Sequence, residues 1–145
     1  VVQARADAGQ SDALGRERYS KVAKTVLCEE GGKPGHWKPG LAFGLDVEIV
    51  PLSDPCQVKA GEEFSVRVLF EGKPLEGVVV ATGTAGTYGH EYNSQTRTDA
   101  NGEATVTFPA AGAWFVRTLH MIPNRDFDDA DWQSWFSTLT LLVAE

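Results

Sequence analysis

The chain lacks long apolar runs: nowhere in its 145 residues does an uncharged stretch approach the ~18 residues of a membrane-spanning helix, so no direct membrane insertion is expected. Basic residues are in deficit. Thirteen Lys and Arg stand against twenty Asp and Glu, for a formal charge of -7, and the thirteen are scattered. This argues against nucleic acid or anionic lipid as a partner, because phosphate binding is led by clustered Lys and Arg. Cysteine is scarce too. Cys28 and Cys56 have no CxxC spacing, which argues against a zinc-thiolate site. They leave two readings open, a single disulfide in an oxidising compartment or two buried thiols; closing a loop of that length would contribute about 3 to 4 kcal/mol. The opening VVQARADAGQ has neither the basic start nor the apolar core of a signal peptide, so a processed or trimmed chain is expected. There is no internal repeat, no GxSxG, no P-loop and no HExxH, and no Cys lies near a His in sequence. A protein that is not an enzyme is therefore expected.

What is present is the composition of a globular protein, 42% hydrophobic and 23% charged. The length suits one domain, residues 1–145, able to bury roughly two thirds of the surface that its unfolded chain exposes. From residue 46 the apolar residues recur with the two-residue period of strands. The clearest case is EEFSVRVLFEG (62–72), where Phe64, Val66, Val68 and Phe70 share one face. Further strands are expected at 46–52, 78–83, 92–98, 103–109, 113–121 and 132–144. DANG (99–102) has the sequence of a type I' hairpin turn. About seven short strands with turns every 8 to 12 residues predict an all-β fold, an antiparallel β-sandwich with its core in 46–144. Residues 1–45 are less regular. In SDALGRERYSKVAKTVLC, Tyr19, Val22, Ala23, Val26 and Leu27 follow the spacing of a short helix, while KTVLC suits an edge strand equally. GGKPGHWKPG (31–40) is a loop.

The candidate functional residues centre on three histidines. In AWFVRTLHM (113–121), alternation puts Trp114, Val116, Thr118 and His120 on one face and Phe115, Arg117, Leu119 and Met121 on the other. Arg117 marks the second face as solvated, so His120 is expected to point inward and to need a polar partner. If strands 92–98, 103–109 and 113–121 form a meander, His120 lies near the DANG turn, and His90 lies roughly 30 Å away at about 3.3 Å per residue. His120 with Asp99 and Asp131 then makes the candidate metal site, for a divalent ion such as nickel, cobalt, copper or zinc; a structural histidine hydrogen-bonded to a carboxylate or a backbone carbonyl is the preferred reading. RDFDDAD fails the pattern of a calcium-binding EF-hand and is expected to be a solvated acidic loop. Two loops are candidate ligand-binding sites: GTAGTYGHEY, through Tyr88, His90, Glu91 and Tyr92, and GHWKPG, through His36 and Trp37.

The segments RYSKVAKTVL, LDVEIVPLSDP, GKPLEGVVV, TRTDANGEATVTFPAAGAWFVRTLHM and DWQSWFSTLTLLVA, in that order, resemble a family of bacterial periplasmic domains mostly without assigned function. Its best-understood relatives are periplasmic components of nickel and cobalt uptake systems. The resemblance covers about residues 16 to 144. It implies an immunoglobulin-like or transthyretin-like sandwich, export to the periplasm, and work beside a membrane uptake system or outer-membrane receptor. The relatives' nickel site uses the free amino terminus and a nearby histidine; here no His precedes position 36, so that site has no counterpart residue in this chain. The expected function is a non-catalytic periplasmic binding domain for a transition-metal ion or small solute, and the alternative is an immunoglobulin-like protein–protein interaction module.

Overall fold

Among the described residues of the computed structural model, which are 6, 9, 15–29, 37–87, 92–124, 126 and 128–145, nine strands form two sheets of an all-β sandwich. The five-stranded sheet runs in the order β1 (Glu17–Thr25), β9 (Trp132–Val143), β8 (Gly112–Pro123), β5 (Val79–Thr84) and β6 (Ser94–Arg97). In the four-stranded sheet, β2 (Val47–Pro51) pairs with one edge of β3 (Glu63–Phe70), while β4 (Lys73–Pro74) and β7 (Glu103–Thr107) share the other. Seven of the nine match strands expected from alternation. The other two are β1 and the two-residue β4.

Of the two readings open for SDALGRERYSKVAKTVLC (11–28), β1 overturns the helix and bears out the edge strand. It is an edge strand, paired in parallel with β9 from Glu17↔Trp132 to Thr25↔Thr140. The free edge of β9 offers a row of backbone donors and acceptors that a helix could not satisfy, and that pairing overrides the spacing of Tyr19, Val22 and Val26. Every other ladder between named strands is antiparallel.

A second correction concerns the meander. β6 pairs with β5 in one sheet and β7 with β3 in the other, so the turn at Asp99–Gly102 carries the chain across the sandwich rather than closing a ladder. The Gly102 amide donates to the Asp99 carbonyl at 2.9 Å, and the Asp99 carboxylate accepts from the amides of Asn101 at 2.8 Å and Glu103 at 2.9 Å. Only Gly102 has a positive φ there, 72°, which fits a type I turn followed by a left-handed glycine, not type I'. The two consecutive positive φ values of a type I' turn occur instead at Glu71 (49°) and Gly72 (76°), between the paired residues Phe70 and Lys73.

Between the sheets lies the apolar core. Phe64, Val66, Val68, Val106 and Phe108 come from the four-stranded side, and Val80, Trp114, Val116, Leu139 and Leu141 from the other. Each large side chain so buried contributes about 1.5 to 3 kcal/mol. Phe108 ties the layer together, its ring 5.7 Å from Phe64 and 5.5 Å from Trp114. The Trp114 indole N–H reaches the Ala110 carbonyl at 2.8 Å, so its polar edge is satisfied at the rim of the core.

β2 is buried along its whole length, and within it stands a carboxylate, Glu48, only 1% exposed. Lys24 of β1 donates to it at 2.8 Å, and the amides of Phe43, Gly44 and Leu45 point at the same group, at 2.9, 3.0 and 3.3 Å. Burial pushes the Glu48 carboxyl up; the hydrogen bonds from Lys24 and the loop amides outweigh it, and the net effect holds the group below its ordinary 4.5. On the same side of the sandwich a disulfide joins Cys28, three residues beyond β1, to Cys56 in the loop between β2 and β3. Of the two readings open for the cysteines, the bonded one holds.

Two predictions follow from these contacts. Glu48→Gln leaves Lys24 without its counter-charge and should cost about 3 kcal/mol of unfolding free energy at pH 7, measured by chemical denaturation. Because folding lowers the Glu48 pKa, its contribution is complete above pH 4.5 and is lost as the pH falls below that value, so the variant's stability should vary less with pH there. Gly102→Ala would force a side chain into a left-handed backbone and bring its Cβ to 2.6 Å from the Val68 carbonyl oxygen. It should lower stability by at least about 1 to 2 kcal/mol.

Candidate functional site

His120 lies on the inward face of β8, as alternation predicted, half-buried and followed on that face by Ile122, which packs against the core. Its neighbours are rings. Phe70, from the end of β3 in the opposite sheet, lies 4.6 Å away, and Trp135, paired with His120 across β8 and β9, stacks at 6.0 Å; Phe70 and Trp135 meet edge-on at 4.9 Å. This trio closes one end of the core. Burial holds the imidazole below its ordinary 6.5, so His120 is neutral at pH 7.

The carboxylates expected beside it are engaged elsewhere. Asp99 accepts the two turn amides described above. Asp131 takes the guanidinium of Arg16 at 2.9 Å and its backbone amide at 3.0 Å, just before β1. No hydrogen bond or ion pair joins His120 to either among the described residues, and none of these residues form a group of three His, Cys, Asp or Glu able to hold a metal. The register estimate that brought Asp99 to His120 rested on the meander, and the crossing of the chain between sheets removes that basis. The acidic loop is exposed at Asp126, Asp128 and Asp129, and Asp129 lies 3.5 Å from Arg18.

Of the candidate ligand residues, His36, Tyr88, His90 and Glu91 lie outside the described residues. Trp37 is half-buried in a bend before β2. Tyr92 belongs to a larger feature, the outer face of the five-stranded sheet. The ladders set Gln95, Ala81, Arg117, Thr138 and Ala23 side by side across all five strands. Leu119, Phe136 and Lys21 form the next row. The Arg117 guanidinium sits over the Tyr92 ring at 5.3 Å, and the Lys21 ammonium over Tyr19 at 5.0 Å and Phe136 at 5.3 Å. Phe115 covers Gly83 so closely that a Cβ there would fall 2.4 Å from the ring.

Two cavities open on this face. One, of about 500 Å³, is lined by Val79, Tyr92, Gln95, Arg97, Arg117, Leu119 and Met121, with Leu75 to Val78 at its rim and His120 at its border. The other, of about 340 Å³, lies between Lys21, Arg117, Phe136 and Thr138. Arg117 contributes to both. The sequence signal for this face was the outward set Phe115, Arg117, Leu119 and Met121; what it could not supply was which other strands lie beside them.

Residues 1–122 match a family described as a domain of unknown function, DUF4198, and the chain belongs to that family. The match ends inside β8, so β9, which pairs with both β8 and β1, lies beyond it. No curated protein and no solved structure matches the chain.

His120→Phe keeps a ring between Phe70 and Trp135 and should stay within about 1.5 kcal/mol of the wild type at pH 7.5. Because folding lowers the histidine's pKa, its contribution is complete above pH 6.5 and is lost as the pH falls below that value. Denaturation at pH 7.5 and 5.5 should therefore give a smaller acid loss for His120→Phe than for the wild type.

Proposed function

We propose that this member of an uncharacterised family is a non-catalytic, exported domain that binds a small solute on the outer face of its five-stranded sheet and works beside an uptake system. The observation that carries the reading is the 500 Å³ cavity, whose lining combines an aromatic ring, aliphatic side chains and two arginines. Its volume falls within the range of small-molecule sites, and its mixture of apolar wall and few polar groups is what such sites use. The Cys28–Cys56 disulfide supports an oxidising compartment such as the periplasm. The resemblance to nickel and cobalt uptake components supports the link to transport. Within this reading a solute is favoured over a bare transition-metal ion coordinated by His120, Asp99 and Asp131, because both carboxylates are already committed to amides or to Arg16.

A second reading, a protein–protein interaction module, is favoured by one feature. Leu27, Leu41 and Phe43 are 90%, 50% and 71% exposed, in segments that flank the open edge strand β1 and precede β2.

Val79→Trp separates the two. Val79 points outward beside Arg97, so a tryptophan there should fill the cavity while leaving the core intact and the melting temperature within a few degrees of wild type. Thermal-shift assays should be run on both proteins with sugars, amino acids, organic acids and nickel or cobalt salts. Solute binding predicts that at least one compound raises the wild-type melting temperature and has no effect on Val79→Trp. A flat response across the panel, or an equal response in both proteins, would sink the reading.

A further inference from the structure

We propose that the 500 Å³ cavity holds the carboxylate of a small organic acid between the guanidinium groups of Arg97 and Arg117. The inference rests on the solute-binding reading and names the ligand class. The chain carries a formal charge of -7, yet the outer face of the five-stranded sheet is cationic: Lys21, Arg97 and Arg117 stand on three of its strands. Among the described residues no carboxylate forms an ion pair with any of the three. Of the acidic side chains near this face, Glu17 takes the Ser134 hydroxyl at the far end of β1, and Glu76 stands at the cavity rim. An excess of one sign on a concave face, opposite to the sign of the whole chain, focuses field lines toward a ligand of the other sign.

Both arginines are held in position before any ligand arrives. Arg97 donates through Nη1 to the Gly77 carbonyl at 2.6 Å, which ties it to the loop at the rim and leaves its other N–H groups available. Arg117 is half-buried and lies over the Tyr92 ring at 5.3 Å. A planar guanidinium with two free N–H groups matches a carboxylate bidentately, and two guanidiniums can share its two oxygens. Gln95, exposed on β6 two residues from Arg97 and in the same row as Ala81 and Arg117, adds an amide donor. Phosphate fits less well. A guanidinium fork also suits phosphate, but the backbone N–H groups that many phosphate sites add are engaged here, because β5 under this cavity is paired on both sides, with β6 and with β8. Val79, Leu119 and Met121 form an apolar wall next to the cations, so the acid carries an apolar body as well as its charged head.

The test uses benzoate, its neutral isostere benzamide, and inorganic phosphate as probes, followed by amide chemical shifts of the isotopically labelled protein at low salt. Benzoate is expected to perturb residues 79–81, 95–97 and 117–119, benzamide to leave them unmoved, and phosphate not to compete. Arg117→Gln and Arg97→Gln should each weaken benzoate binding by at least about tenfold, and Arg117→Lys, which keeps the charge but loses the fork, by less than Arg117→Gln. Arg97 is exposed, so its variant is the safeguard should Arg117→Gln fold poorly. Benzamide binding as strongly as benzoate at these residues overturns the charge assignment while leaving solute binding intact. Displacement of benzoate by phosphate overturns the carboxylate class. Unchanged benzoate affinity in both glutamine variants, or no shift at this face with any probe, overturns the site itself; solute binding by uncharged compounds is judged separately by Val79→Trp.

Discussion

The structure depends on one buried carboxylate. Glu48 sits within a strand that has no exposed residue, and it is tolerable only because an ammonium and three backbone amides converge on it. Those donors come from two different places in the chain: Lys24 belongs to β1 of the five-stranded sheet, and residues 43 to 45 form the loop leading into β2 of the four-stranded sheet. A single buried charge thereby fixes the approach of one sheet to the other along one side. The disulfide between Cys28 and Cys56 joins the same two regions covalently, and the Phe43 ring lies 5.5 Å from the Lys24 ammonium. Three kinds of interaction act at one seam.

That seam holds β1 in place, and β1 completes the outer face. Its parallel pairing with β9 is the one non-antiparallel ladder between named strands, and a lone parallel edge strand has only one neighbour to hold it. Lys24 points inward to Glu48, and its alternate neighbours Lys21 and Ala23 line the smaller outer cavity. The strand that anchors the sandwich from inside therefore also contributes a cation to the face proposed to bind a solute. The opposite side is closed by hydrogen bonds instead. The Thr98 hydroxyl donates to the Leu75 carbonyl and accepts from the Val78 amide, which fixes the loop at the rim of the larger cavity.

Most of the strands from residue 46 onward were legible because they bury one face, and alternation of apolar and polar residues is the direct imprint of that burial; the two-residue β4, exposed at both positions, left no such imprint. The inward direction of His120 was legible for the same reason. β1 was not. Its residues are mostly exposed, so no core stamps a two-residue period on ERYSKVAKT, and its strand conformation comes from the unpaired edge of β9, more than a hundred residues away. The turn at Asp99–Gly102 was visible as a turn, but its type depended on the Asp99 carboxylate capturing two amides, and the divergence of β6 and β7 into different sheets depended on which partner strands stood ready. Once that divergence is known, the proximity estimate joining His120 to Asp99 has no support.

The sequence by itself determined the class of the fold, the seven strands that carry its core, and the inward and outward faces of β8, because these follow from local periodicity and from the free energy of removing apolar side chains from water. Only the tertiary structure decided which strands became neighbours. Strand order brought Arg97 and Arg117 to one cavity, committed Asp131 to Arg16, and turned Glu48 from one acidic residue among twenty into the buried charge at the seam. Pairing between distant strands is chosen by the whole set of edges competing for partners, and no single segment carries that information.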